Sequence, residues 1–93
     1  MLTLLTIKLY LSGCSSLKEK RGRLQPIISR LHKEFNVTVS EIGLQDVWQS
    51  AWIGVASLSN EKTHNEQVMN NIIKFIESNW PDEQILESHL ENR

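Results

Sequence analysis

Ser15-Ser16-Leu17-Lys18-Glu19-Lys20-Arg21 fuses a helix start to a cluster of positive charge, and the order of elements can be read outward from it. Ser16 and Glu19 have the S-x-x-E spacing in which a serine hydroxyl accepts from the backbone N–H three residues on. Upstream, Ser12-Gly13-Cys14-Ser15 is a turn of small residues. Before that turn, Leu5, Ile7, Leu9 and Leu11 alternate with Thr6, Lys8 and Tyr10. A period of two marks a strand with one buried face, over about residues 2–11. Downstream, Leu17, Leu24, Ile27, Ile28, Leu31 and Phe35 fall along one helical stripe, which predicts a helix over 17–35. Pro26 interrupts it. A proline inside a helix removes a hydrogen bond and costs about 3 kcal/mol, so either the helix kinks or a short first turn hands over to a second helix.

Val37 to Ile42 is β-branched and alternating, and predicts a second strand. Gly43 to Asp46 is a connection. Trp48 to Leu58 is the longest strand, with Ala51, Ile53 and Val55 on one face and Trp48, Trp52, Ala56 and Leu58 on the other. Thr63 and Glu66 offer another capping box. Val68, Ile72, Phe75 and Ile76 form the stripe of a second helix, which ends near Asn79 before Pro81. Gln84 to Leu90 reads as a polar edge strand, with Glu91 to Arg93 frayed. The order βαββαβ is the ferredoxin-like α+β pattern, in which two helices cover one face of a four-stranded antiparallel sheet. Residues 1–93 form a single ferredoxin-like domain.

The net charge of −1 gives no global drive toward nucleic acid or membrane. Its distribution is uneven. Residues 1–40 carry seven Lys/Arg against two acids, and residues 41–93 carry three against nine. Such asymmetry predicts one basic surface. One cysteine excludes an internal disulfide and fits a reducing compartment. No apolar run approaches the roughly 20 residues that span a bilayer, and the interrupted N-terminal strand is no signal peptide. The expected location is cytoplasmic, with no membrane partner.

Six cations fall within sixteen residues: Lys18, Lys20, Arg21, Arg23, Arg30 and Lys33. Lys20, Arg23 and Arg30 belong to a broad outer face of the helix. With Ser16 and the N–H groups of the helix start, they form a candidate RNA- or phosphate-binding set. The ordinary alternative is a solvated charged face. Tyr10, Trp48 and Trp52 form a second candidate set on the helix-free side of the sheet. They would serve a homodimer contact, a peripheral core or base stacking. His32, His64 and His89 lack metal-ligand spacing. No catalytic residue, metal or cofactor is expected. The one enzymatic alternative is a phosphate-ester or thiol chemistry at Gly13, Cys14 and Ser15, where a helix start can lower a thiol pKa.

Four strings resemble one family: Ser16-Leu17-Lys18-Glu19-Lys20-Arg21, Phe35-Asn36-Val37-Thr38-Val39-Ser40-Glu41, Gln45-Asp46-Val47-Trp48-Gln49 and Ile53-Gly54-Val55-Ala56. They are similar to the YlxP-like family of small bacterial domains. That resemblance implies a ferredoxin-like domain. It also implies a link to translation by association, because such genes lie beside those of an initiation factor and a ribosome-binding factor. The implied partners are ribosomal RNA or a ribosome-assembly factor. Relatives keep a Gly-Asn pair after the long strand where this chain has Ser59-Asn60. The expected function is that of a binding protein, contacting RNA through the basic helix or another protein through the aromatic face.

Overall fold

Leu5, Ile7, Leu9 and Leu11 of strand β1 (Leu2–Leu11) are buried, while Leu4, Thr6 and Lys8, which alternate with them, stay partly accessible. The computed structural model describes residues 1–93. A one-residue slip of β1 would turn all four buried side chains to solvent. At about 1.5–3 kcal/mol each, the loss of roughly 6–12 kcal/mol rivals the stability of a whole domain, so the register is tightly specified. Helix α1 (Leu17–Glu34), β2 (Thr38–Gly43), β3 (Ser50–Leu58), helix α2 (Lys62–Asn79) and β4 (Glu83–Asn92) follow in order. The sheet order is β2-β3-β1-β4, with every pair antiparallel. This is the ferredoxin-like βαββαβ arrangement.

Both helices cover one face of the sheet. Ala51, Ile53 and Val55 of β3 join the β1 leucines there, against Leu24, Ile27 and Leu31 of α1 and Met69, Ile72 and Ile76 of α2. The aromatic side chains of Phe35, Phe75 and Trp80 meet edge to face at the periphery. Neither helix is long and apolar enough to cross a membrane.

Several boundaries differ from the sequence expectation. α1 runs unbroken through Pro26, which is exposed on its solvent side. β3 begins at Ser50 rather than Trp48. The preceding residues form a tight turn in which Val47 N–H donates to Leu44 C=O (3.0 Å) and Leu44 takes φ +59°. Thr63 is inside α2 instead of capping it. The helix starts after Glu61, which makes no side-chain cap. Asn65 explains the shift: it is fully buried, and its Oδ1 accepts from Ser57 and Ser59 hydroxyls at 3.3 and 2.6 Å. Its Nδ2 donates to the carbonyls of Met1 and Ser57. The first turn of α2 is thus pinned from the side. The C-terminal residues are not frayed either, since Arg93 N–H donates to Leu2 C=O (2.7 Å) and Leu2 N–H donates to Arg93 C=O (3.2 Å).

β2 and β4 are the edges. At β2, the Val39 N–H donates to His32 Nε2 (3.0 Å), so a side chain of α1 occupies an edge donor that would otherwise be open to another strand.

Candidate functional site

The helix start is built as its sequence implies. Ser16 is the N-cap of α1, and its Oγ accepts from Glu19 N–H at 3.0 Å. The reciprocal half of the box is missing, because the Glu19 carboxylate turns to Ser15 Oγ and Arg23. Gly13 adopts φ +70°, which any Cβ would strain. Cys14, beside it, is fully buried and donates its thiol to Ser16 C=O, so its sulfur faces the core rather than a reactant.

The six cations of α1 divide into two groups. Lys20, expected on the outer face, points inward and is 2% exposed. Its Nζ donates to the carbonyls of Leu44 (2.6 Å) and Val47 (2.8 Å) and lies 3.1 Å from Glu41 Oε2. That carboxylate oxygen is buried and makes no hydrogen bond, so the ammonium charge is what compensates it. Arg23 is likewise tied down. Its guanidinium donates to Glu83 through Nε (2.9 Å) and Nη2, and to Ser12 C=O through Nη1 (2.8 Å). The Glu83 hydrogen bond outweighs the opposing effect of burial and raises the Arg23 pKa above its already high ordinary value. These two residues are struts: Lys20 holds the β2–β3 connection, and Arg23 holds the β1–α1 turn to the start of β4.

Lys18, Arg21 and Lys33 remain exposed and make no ion pair. With Gln25 and Ser29 they recur every three or four residues along the outer face of α1, a stripe about 22 Å long at 1.5 Å per residue. Arg30 sits at its flank. It is 3.8 Å from Glu34 and stacks over Phe75 and Trp80, with ring centroids 5.2 and 5.9 Å away. Between α1 and the β2–β3 connection, Arg21 and Gln25 face Gln45 and Asp46 across a cleft of about 280 Å³.

The second candidate surface is the helix-free face of the sheet. Tyr10 and Trp52 both stand on it, opposite Ser50 and Lys8 respectively. Trp48 is exposed but lies in the connection before β3, so strand alternation does not place it with them. The Trp52 ring lies over Gly43, where an added Cβ would come within 2.7 Å of the indole. Ile42 lies over Gly54 in the same way. Two glycines thus let two large side chains lie flat on the sheet. Beside Trp52 is a depression of about 400 Å³ lined by Thr6, Lys8, Glu87, Ser88 and His89. No group of three His, Cys, Asp or Glu side chains is placed to hold a metal ion.

The model of a family described as "Protein of unknown function (DUF503)" matches residues 2–90. The chain belongs to the DUF503 family. "Uncharacterized protein YlxP" of Bacillus subtilis (strain 168) is 43% identical over 63 residues, covering 68% of each chain. Among solved structures, a de novo designed protein with a ferredoxin fold, LFR1 1, superposes with a TM-score of 0.61 at 9% identity, covering all of this chain and 87% of that one. At that identity the likeness concerns this DUF503 domain's fold alone.

Proposed function

We propose that this DUF503 protein is a binding protein that contacts RNA phosphates through the outer face of α1. The observation that carries the reading is the stripe of Lys18, Arg21 and Lys33, exposed on one face without ion-pair partners. Arg30 at the flank adds a fourth cation. Lys20 and Arg23 contribute indirectly, since their charges are spent on internal acids and carbonyls. The Ser16 hydroxyl is engaged as the helix cap, leaving only backbone N–H groups of the first turn for an anion. The resemblance to YlxP-like proteins favours a ribosomal RNA or a ribosome-assembly intermediate as the partner, with the protein acting in the cytoplasm.

Three or four phosphate contacts predict a slope of log K on log salt of about −2 to −3.5. Affinity then falls roughly 20- to 100-fold between 50 and 200 mM salt. The test is co-sedimentation with ribosomal subunits at both salt concentrations. A Lys18→Glu/Arg21→Glu/Lys33→Glu variant should fail to pellet, while Lys62→Glu/Lys74→Glu on α2 should pellet like the parent. Pelleting that survives the α1 reversal, or none at any salt, would sink the reading.

A further inference from the structure

We infer that a second copy of this chain covers the helix-free face of the sheet, forming a face-to-face homodimer centred on Trp52. The face is continuous and nearly free of charge along its two central strands. In register across β1 and β3 lie Leu2 with Leu58, Leu4 with Ala56, Thr6 with Gly54, Lys8 with Trp52 and Tyr10 with Ser50. Lys8 is the single charged side chain among those ten positions. Ile42 fills the space over Gly54, so the apolar strip has no gap at the glycine. Leu58 is 76% exposed and Trp52 41% exposed. Apolar surface enriched in Trp and Tyr and depleted of charge is the composition of an interface centre, not of an ordinary solvated sheet.

The size of the face suits such a partner. Strands of ten and nine residues run about 30 Å, and four strands at about 4.8 Å give a width near 19 Å. With the six-residue β2 shorter than the rest, the projected area is roughly 500 Å². Side-chain relief brings it toward the ~800 Å² per partner of a standard stable interface.

Charge selects among occupants. β4 places Glu87 opposite Lys8 and Glu91 opposite Leu4 on this face. Glu87 pairs with Lys8 (3.7 Å) and Glu91 with Arg93 (3.3 Å), so this face offers a phosphodiester chain no unpaired cation, and nucleic acid is the wrong occupant here. A second copy supplies both signs at once. A two-fold axis between the sheets sets the Lys8 of each copy against the acidic row or the indole of the other. Sheets stacked in this way pack about 10 Å apart with their strands roughly aligned.

Sedimentation equilibrium of the full chain, from about 1 to 200 µM, tests the proposal. The parent should be a dimer. Trp52→Lys/Leu58→Asp should raise its dissociation constant roughly 100-fold or more, as loss of central anchors does. Both positions are solvent-exposed in the protomer, so circular dichroism of the variant should match the parent. The Lys18→Glu/Arg21→Glu/Lys33→Glu variant should remain dimeric, which separates this result from the fate of the RNA reading. A parent that is monomeric at 200 µM, a dimer indifferent to Trp52→Lys/Leu58→Asp, or a dimer dissolved by short single-stranded RNA would each overturn it.

Discussion

Lys20 is the residue on which local architecture depends most. Its ammonium serves two carbonyls and a buried carboxylate oxygen. Lys20→Met removes the lysine donor from the Val47 carbonyl and the counter-charge from the Glu41 carboxylate, while Leu44 C=O keeps only the Val47 N–H. Removing one partner of a buried pair is strongly destabilising because the other charge stays buried, so the expected loss is about 3 kcal/mol. Urea denaturation measures it. Lys20→Met/Glu41→Leu should recover part of that loss, since it removes the stranded charge. The position of Lys20 was legible in part: Lys20, Leu24, Ile27 and Leu31 recur at four-, three- and four-residue spacings on one helical stripe. The assumption that a lysine faces water hid it. The Arg23–Glu83 pair was not legible, because no local spacing links residues sixty positions apart. Its raised pKa has a simple consequence for pH. A cation whose folded pKa lies above its unfolded value loses its contribution only as pH rises through that folded pKa. Arg23 therefore keeps its charge, and its strut, throughout the neutral range.

Elements were easier to read than their ends. The two periods, near two for β1 and near 3.6 for α1 and α2, survive in the buried sets of all three. Pro26 illustrates what a pattern cannot decide. In α1 it occupies the outer face, so the helix continues past it. The missing N–H still removes the i→i−4 bond to Gly22 C=O. Pro26→Ala should restore that donor and stabilise the protein by about 2 kcal/mol, after allowing for the greater freedom of the unfolded chain. A thermal melt should show the gain. α2 begins at an uncapped Glu61. Glu61→Ser should add about 1 kcal/mol through a cap to the first-turn N–H groups. On β2, Gly43→Ala would push a methyl into the Trp52 ring. The ring is partly exposed and can lift, so the expected cost is near 1 kcal/mol, with a more exposed indole as the visible sign. Neither the β2 bulge at Ile42, between Glu41 and Gly43, nor the turn at Leu44 left a clear trace in the sequence, because each depends on what lies across the sheet.

For the whole molecule, the charge asymmetry between chain halves does not survive as two opposed surfaces. Lys8 pairs with Glu87, Lys20 with Glu41 and Arg23 with Glu83. Each pair joins a cation of the basic half to an acid of the acidic half. Folding therefore consumes part of the dipole that composition suggests, and leaves a shorter cationic stripe on α1 with an almost neutral sheet face on the other side. What could not be read was which charges would be used internally, since that is decided by contacts between distant segments. If the sheet faces associate, stability becomes a function of protein concentration. The midpoint of thermal unfolding should rise with concentration in the parent and stay flat in Trp52→Lys/Leu58→Asp. The tie from Lys20 to the β2–β3 connection carries one more consequence, an optical one. Trp48 follows directly after the carbonyl that Lys20 grips, Trp52 lies at the centre of the open face, and Trp80 sits under Arg30 at the far end of α1. With the other two replaced by phenylalanine, each indole becomes a separate lamp: one for the strut, one for the sheet face and one for the basic helix.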